Sequence, residues 1–189
     1  MSEHLMQKHT VGVVLAGGKS TRMGQDKALL SFQGETLLHH QVQLLRPICD
    51  QVVVSGEYAD FACVPDSMQG YGPITGIYSV AKQIPNCSLL VVPVDMPLLT
   101  EAHLNLLLTS EQSGFIEMHP LPAYFANHQR LISTIEMMLN SVNHDYSIRT
   151  LHTLLASSSL QLIDFDGLNI NYLKQWQDFG TGAWCGYSF

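Results

Sequence analysis

The sequence predicts an α/β fold: a single domain with a Rossmann-like, mostly parallel twisted sheet flanked by helices, and a small antiparallel addition in its C-terminal half. Three observations predict it. Short apolar runs, largely β-branched, occur at Thr10–Leu15, Gln51–Ser55 and Ser88–Pro93, as in strands buried on both faces. Stretches with apolar residues at helical spacing separate these runs, which implies right-handed strand–helix–strand crossovers. After Leu108 the texture changes to short strand-like pieces around a turn, and no repeat, low-complexity tract or linker divides the chain.

Each element follows from its residues. Thr10–Leu15 leads directly into Gly17, Gly18 and a polar stretch, so a loop follows the first strand. From Thr36 to Arg46, Leu37, Leu38, Val42 and Leu45 fall on one helical face, and Pro47 stops the run. Gln51–Ser55 is the second strand and Ala62–Val64 a short third. Past the turn-rich residues 65–73, Ile74–Gln83 forms a helix that ends before Pro85. Ser88–Pro93 is the next strand, and Thr100 caps a helix through Leu108. Phe115–Met118 and Leu121–Ala126 read as strands around His119-Pro120. Leu131, Ile135 and Met138 mark one helix face, and Ile148, Leu151 and Leu155 another. A last strand, Leu160–Phe165, and a helical segment at Tyr172–Trp176 complete the reading.

Composition narrows the function. The chain has 189 residues, 46% of them hydrophobic and 13% charged, with a net charge of −7. One domain with a sizeable core fits that length. The acidic balance, with no Lys/Arg stripe, excludes a nucleic-acid partner. The N-terminus lacks an apolar signal region, and no stretch of about 18 apolar residues occurs, so no membrane role and a cytoplasmic location are expected. Cys49, Cys63, Cys87 and Cys185 form no C-x-x-C pair and read as isolated reduced thiols. His39 and His40 are adjacent and cannot both face one ion, so the nine histidines are expected at surface or core positions. Trp176 and Trp184 are expected to pack.

The chemistry concentrates after the first strand, in Leu15-Ala-Gly-Gly-Lys-Ser-Thr-Arg-Met-Gly-Gln-Asp-Lys27. Open parallel sheets bind ligands beyond the carboxyl ends of their strands. Gly17 and Gly18 carry no side chains, so backbone N–H groups there can approach phosphate oxygens. Arg22 and Lys27 supply the positive charge that a triphosphate requires. The spacing is not that of a dinucleotide fingerprint. Nor is it a Walker A loop, which needs glycine five positions before Gly18, where Val13 stands.

This segment resembles the signature of the molybdenum cofactor guanylyltransferases, within the wider nucleotide-diphospho-sugar transferase fold. Gly17 favours the guanylyl branch, since the related cytidylyltransferases more often carry alanine there. The match covers about residues 11–176, densely up to Leu99.

Two aspartates extend it. Asp66 follows Val64-Pro65, and Asp95 follows a buried apolar run in Pro-Val-Asp-Met-Pro. Taken alone, Asp66 suits a turn. Asp95 suits a magnesium ligand, because Mg²⁺ takes carboxylate and phosphate oxygens. The segments Asp66–Ile77 and Pro93–Leu99 resemble the family's nucleotide-contacting and magnesium-binding segments. The resemblance thus implies that Leu15, Ala16, Gly17, Gly18, Lys27, Ser55, Asp66 and Asp95 bind nucleotide. It also implies that Arg22, Lys27 and Asp95 are catalytic, with Mg²⁺ on Asp95. Gly72, Pro73 and Gly76 would shape the pocket wall.

The family often has asparagine where this chain has Ser55. Towards the C-terminus, residues 119–125 resemble the strand on the pterin side of the cleft. Arg149 and the pair Asn169 and Asn171 resemble acceptor-binding residues, while the usual Thr-Pro-Glu-Glu after them is missing. The resemblance implies a single nucleotidyltransferase domain over residues 1–189, with a nucleotide-binding part at about 10–110 and an acceptor-binding part at about 111–176. The reaction it implies is transfer of GMP from GTP to the terminal phosphate of molybdopterin with release of pyrophosphate. Transient contact with proteins that handle the molybdenum cofactor would follow. Two other readings stay open: a cytidylyl or sugar-phosphate nucleotidyltransferase of the same fold, and a non-catalytic GTP-binding escort for the cofactor.

Overall fold

The computed structural model describes residues 9–17, 26–142 and 144–162. Gly18, Arg22, Asn169, Asn171, Trp184, Cys185 and the segment Tyr172–Trp176 therefore lie outside the described residues.

β1 (Thr10–Leu15) forms where its apolar run predicts, with Val11, Val13 and Val14 fully buried. A 3₁₀ turn at Lys27–Leu29 follows, capped by Asp26, whose side chain accepts from the Ala28 N–H. β2 (Ser31–Phe32) and β3 (Glu35–Thr36) pair as an antiparallel hairpin. Nothing in the hydrophobic pattern announces it, because Phe32 is its one buried residue. The signal is the turn Gln33-Gly34, whose φ values of 50° and 91° suit a two-residue hairpin loop.

Thr36 caps α1 (Leu37–Leu45) by accepting from the His39 N–H at 3.1 Å. β4 (Gln51–Ser55), β5 (Cys63–Val64), α2 (Pro73–Gln83), β6 (Ser88–Pro93) and α3 (Glu101–Leu108) follow in the predicted order. Thr100 caps α3 as expected, and the His103 side chain returns to the Thr100 N–H to close a capping box. β7 (Gly114–Ile116) starts one residue before the expected run Phe115–Met118 and ends two residues short of it, and β8 (Ala123–Phe125) lies inside Leu121–Ala126. α4 (His128–Leu139) and α5 (Ile148–Leu155) bury the faces that their spacing marks.

The last described strand departs from expectation. β9 is Ser158–Leu160, Gln161 and Leu162 belong to no strand, and residues 163–165 of the expected strand lie outside the described residues. Its partner β7 offers only three residues, so the register Gly114↔Ser158 ends at Ile116↔Leu160. β9 sits at the sheet edge with Ser158 and Ser159 exposed. Polar edge strands carry no hydrophobic signal, which is why the apolar residues beyond Leu160 drew the expected boundary too late.

Among the described residues, a seven-stranded sheet runs β5-β4-β1-β6-β8-β7-β9. β5, β4, β1 and β6 are mutually parallel, whereas β8 is antiparallel to both β6 and β7. The small antiparallel addition is therefore β8 with its neighbours. Helices cover both faces. Val14, Leu90 and Val92 face α1 and α3 on one side. Val11, Val13, Leu89 and Val91 face α2, α4 and α5 on the other. Alternation along β1 and β6 thus sends successive side chains into two cores.

Gly12 reflects how closely α1 approaches β1. A Cβ there would stand 3.0 Å from Cys49 Sγ and 3.2 Å from Leu45 Cβ. Burial first, and the neighbouring Asp50 charge second, push the Cys49 thiol up to about 12. A thiol raised this far is protonated near neutral pH, and thiolate is the reactive form.

Candidate active site

Because β5, β4, β1 and β6 run parallel, the residues after them share one edge of the sheet. Ala16 and Gly17 follow β1, Ser55 ends β4, Asp66 lies just past β5 and Asp95 just past β6. The fold thus brings four separated stretches of chain to one place. They divide into two clusters on either side of the end of β1.

On the β4 side, Ser55 is the hub. It is 1% exposed, and its hydroxyl donates to Asp66 Oδ1 at 3.0 Å. Its carbonyl accepts from the Ala16 N–H at 3.1 Å and the Gly17 N–H at 2.9 Å. The N–H groups of Ala16 and Gly17 thus share one backbone acceptor, which ties the end of β1 to the end of β4.

Two glycines make room for the Asp66 carboxylate. A Cβ on Gly17 would lie 3.2 Å from Asp66 Oδ2, and one on Gly76 would lie 3.2 Å from Asp66 Oδ1. The Gly76 Cβ would also fall well inside contact distance of Ser55 Oγ. Gly72, with φ of 71°, starts α2 beside them, and Pro73 takes the first helical position. That φ strains any side chain, so the turn into α2 needs glycine.

On the β6 side, Lys27 Nζ meets Asp95 Oδ2 at 3.0 Å, with the side chains 18% and 17% exposed. Lys27 belongs to the 3₁₀ turn capped by Asp26, and Asp95 to the turn after β6. Helix α1 supports that turn. Gln41 is fully buried, and its amide donates to the Met96 carbonyl at 2.7 Å. His40 Nε2 lies 3.2 Å from the Pro97 carbonyl. The other ring nitrogen of His40 and the ring of His39 both face the Glu35 carboxylate, at 3.3 and 3.1 Å.

Arg149 stands in the first turn of α5, where Ser147 caps the helix. Its guanidinium donates to the Met118 carbonyl at 2.9 Å. Tyr146, just before the Ser147 cap, packs edge to face against Tyr71, with ring centroids 4.7 Å apart. Sequence reasoning missed Gln41 and Tyr58 entirely. Tyr58 donates from its hydroxyl to Asp26 Oδ2 at 2.8 Å, and no spacing rule links positions so far apart.

Among the described residues no group of three or more His, Cys, Asp or Glu side chains could hold a metal. A cavity of about 220 Å³ lies elsewhere, lined by Arg46, Cys49, Asp50 and Asp60 among others. Those residues flank the starts of β4 and β5, away from the strand ends that carry the two clusters.

A family model for the MobA-like NTP transferase domain matches residues 12–155. The chain is 36% identical to the molybdenum cofactor guanylyltransferase of Xanthomonas euvesicatoria, over 90% of this chain and 94% of that protein. It is 28% identical to the enzyme of that name from Campylobacter jejuni, over 88% of this chain and 93% of the other. In fold it resembles the molybdopterin-guanine dinucleotide biosynthesis protein A of Archaeoglobus fulgidus. That structure gives a TM-score of 0.72 at 20% identity, covering 91% of this chain and 99% of the other. The segments that drew the resemblance thus sit on a fold shared along nearly the whole chain, and the chain belongs to the MobA-like NTP transferase family, that of the molybdenum cofactor guanylyltransferases.

Proposed function

We propose that the protein transfers GMP from GTP to the terminal phosphate of molybdopterin and releases pyrophosphate. The observation that carries this reading is the Lys27–Asp95 pair at the sheet's C-terminal edge, in a chain of this family. The acceptor's terminal phosphate oxygen attacks the α-phosphorus of GTP. The bond from that phosphorus to the β-bridging oxygen breaks, and pyrophosphate leaves with its electron pair. No enzyme nucleophile takes part, so orientation and charge do the work.

Lys27 is the described cation nearest this task. An ammonium has three donors, so its bond to Asp95 does not by itself exclude a phosphate oxygen. Lys27 would hold charge on the leaving pyrophosphate, joined by Arg22. Asp95 fits as a magnesium ligand: it is a lone carboxylate at a strand end, and Mg²⁺ is commonly bound by one or two carboxylates with substrate phosphates and water. Such an ion would draw charge from the α-phosphate. Asp66, held by Ser55, Gly17 and Gly76, is assigned to the nucleotide. Leu15, Ala16 and Gly18 complete the nucleotide wall, and Arg149, Asn169 and Asn171 the acceptor side.

In this reading residues of about 10–110 bind nucleotide and those of about 111–176 bind acceptor, within one domain. No described helix is long and apolar enough to cross a membrane. A cytoplasmic location and transient contact with molybdenum cofactor-handling proteins belong to the proposal. The test offers GTP, CTP or ATP with molybdopterin and Mg²⁺ and identifies the product by mass. A guanine dinucleotide from GTP is expected. A cytosine product, or GTP binding without any product, would overturn the assignment.

A further inference from the structure

We propose that Tyr58 is a positioning residue that holds Lys27 against Asp95 by clasping the two sides of the glycine-rich segment. The effect on catalysis rests on the function proposed above; the clasp itself does not. The Tyr58 hydroxyl donates to Asp26 Oδ2 at 2.8 Å and stands 3.2 Å from the Ala16 carbonyl. The one phenolic hydrogen is shared between the two acceptors, the carboxylate being the nearer and the stronger. Ala16 lies just past β1 and Asp26 just before Lys27, so one side chain reaches both arms of the segment.

Asp26 passes the constraint on. Its second oxygen, Oδ1, accepts from the Ala28 N–H at 2.9 Å and caps the 3₁₀ turn that carries Lys27. With both oxygens engaged, the carboxylate cannot rotate without breaking a bond. Lys27 Nζ then meets Asp95 at 3.0 Å. A continuous chain of bonds therefore runs from the loop after β4 to the carboxylate after β6.

Tyr58 is itself held. Its N–H donates to Cys63 Sγ at 3.3 Å, and the Cys63 thiol donates back to the Tyr58 carbonyl at 3.2 Å. A Cβ on Gly56 would stand 2.9 Å from Tyr58 Cε2, so glycine there lets the ring lie across the backbone. Burial first, then the hydrogen bond and charge of Asp26, push the phenol well above its ordinary value. The hydroxyl stays a neutral donor through any ordinary assay pH.

Tyr58→Phe removes the hydroxyl and keeps the ring. Acylation of Lys27 by an N-hydroxysuccinimide ester, read by peptide mass without substrate, should accelerate several-fold in this variant, with little change in thermal midpoint. An unchanged acylation rate overturns the clasp. Turnover of GTP with molybdopterin should fall about tenfold at saturating GTP, within the hundredfold that a misplacement of about 1 Å can cost. In a Lys27→Ala background the same change should have no further effect. A full additional loss there would show that Tyr58 acts by another route and would overturn the assignment. Faster acylation in a protein that makes no product from GTP would leave the clasp standing and sink the functional reading instead.

Discussion

The two clusters at the end of β1 solve the same problem, holding a carboxylate at a strand end, by different physics. On the β4 side Asp66 is placed by shape. Gly17 and Gly76 leave the space it occupies, and a neutral hydroxyl from buried Ser55 fixes one oxygen. On the β6 side Asp95 is placed by charge, through Lys27, on a turn anchored by buried Gln41. A carboxylate held by neutral donors suits a fixed contact with a neutral part of a ligand. One held by an ammonium can exchange partners as a charged ligand arrives. In the proposed function this difference would give recognition to one side and chemistry to the other.

The charged side should therefore be the more sensitive in rate. Lys27→Ala and Asp95→Ala should each lower turnover by about a hundredfold or more, the loss typical of a key electrostatic group, with the folded circular dichroism retained. Near-normal steady-state rates in either variant would erase the distinction. The close-packed side should be the more sensitive in stability. Gly76→Ala sets a methyl against Ser55 Oγ, and overpacking of this kind costs about 1–3 kcal/mol. The thermal midpoint should drop by several degrees, with GTP affinity falling alongside.

Ser55→Ala sharpens the comparison at lower amplitude. It removes the donor to Asp66 without adding bulk. Because Asp66 is exposed, water compensates in part, and the KM for GTP should rise by a few-fold and at most about tenfold. An unchanged kcat is expected if, as proposed, this side serves recognition alone. The smallest effect belongs to the thiol behind β1. Thiolate is the reactive form, and a Cys49 thiol held near 12 is almost wholly protonated at pH 8. Iodoacetamide at that pH should leave Cys49 unmodified by mass in the folded protein and label it after denaturation.

Elements whose side chains face two cores were legible in the sequence. Thr10–Leu15 and Ser88–Pro93 form strands over the residues that their apolar runs mark, because burial on both faces imposes an unbroken pattern. Thr100 was legible as a cap because hydroxyl capping is local. The polar strand Ser158–Leu160 and the hairpin around Gln33-Gly34 were not. Edge pairing and positive φ leave little trace in hydrophobicity.

In the site, residue types after strands identified Lys27, Asp66 and Asp95 as candidates. Their contacts depend on the sheet order, which sets Asp95 beside a lysine 68 positions earlier. The engagement of the Ala16 and Gly17 N–H groups by Ser55 was hidden for the same reason. It is a cross-strand bond, and the glycines invite the opposite expectation.

The most direct measurement is pyrophosphate release from saturating GTP in the presence of molybdopterin and Mg²⁺, comparing the unmodified protein with Asp95→Asn. The expected result is one pyrophosphate for each guanine dinucleotide formed, and release slowed about a hundredfold or more in the variant while GTP still binds. Equal rates in the two proteins, or no release from GTP by the unmodified chain, would contradict it.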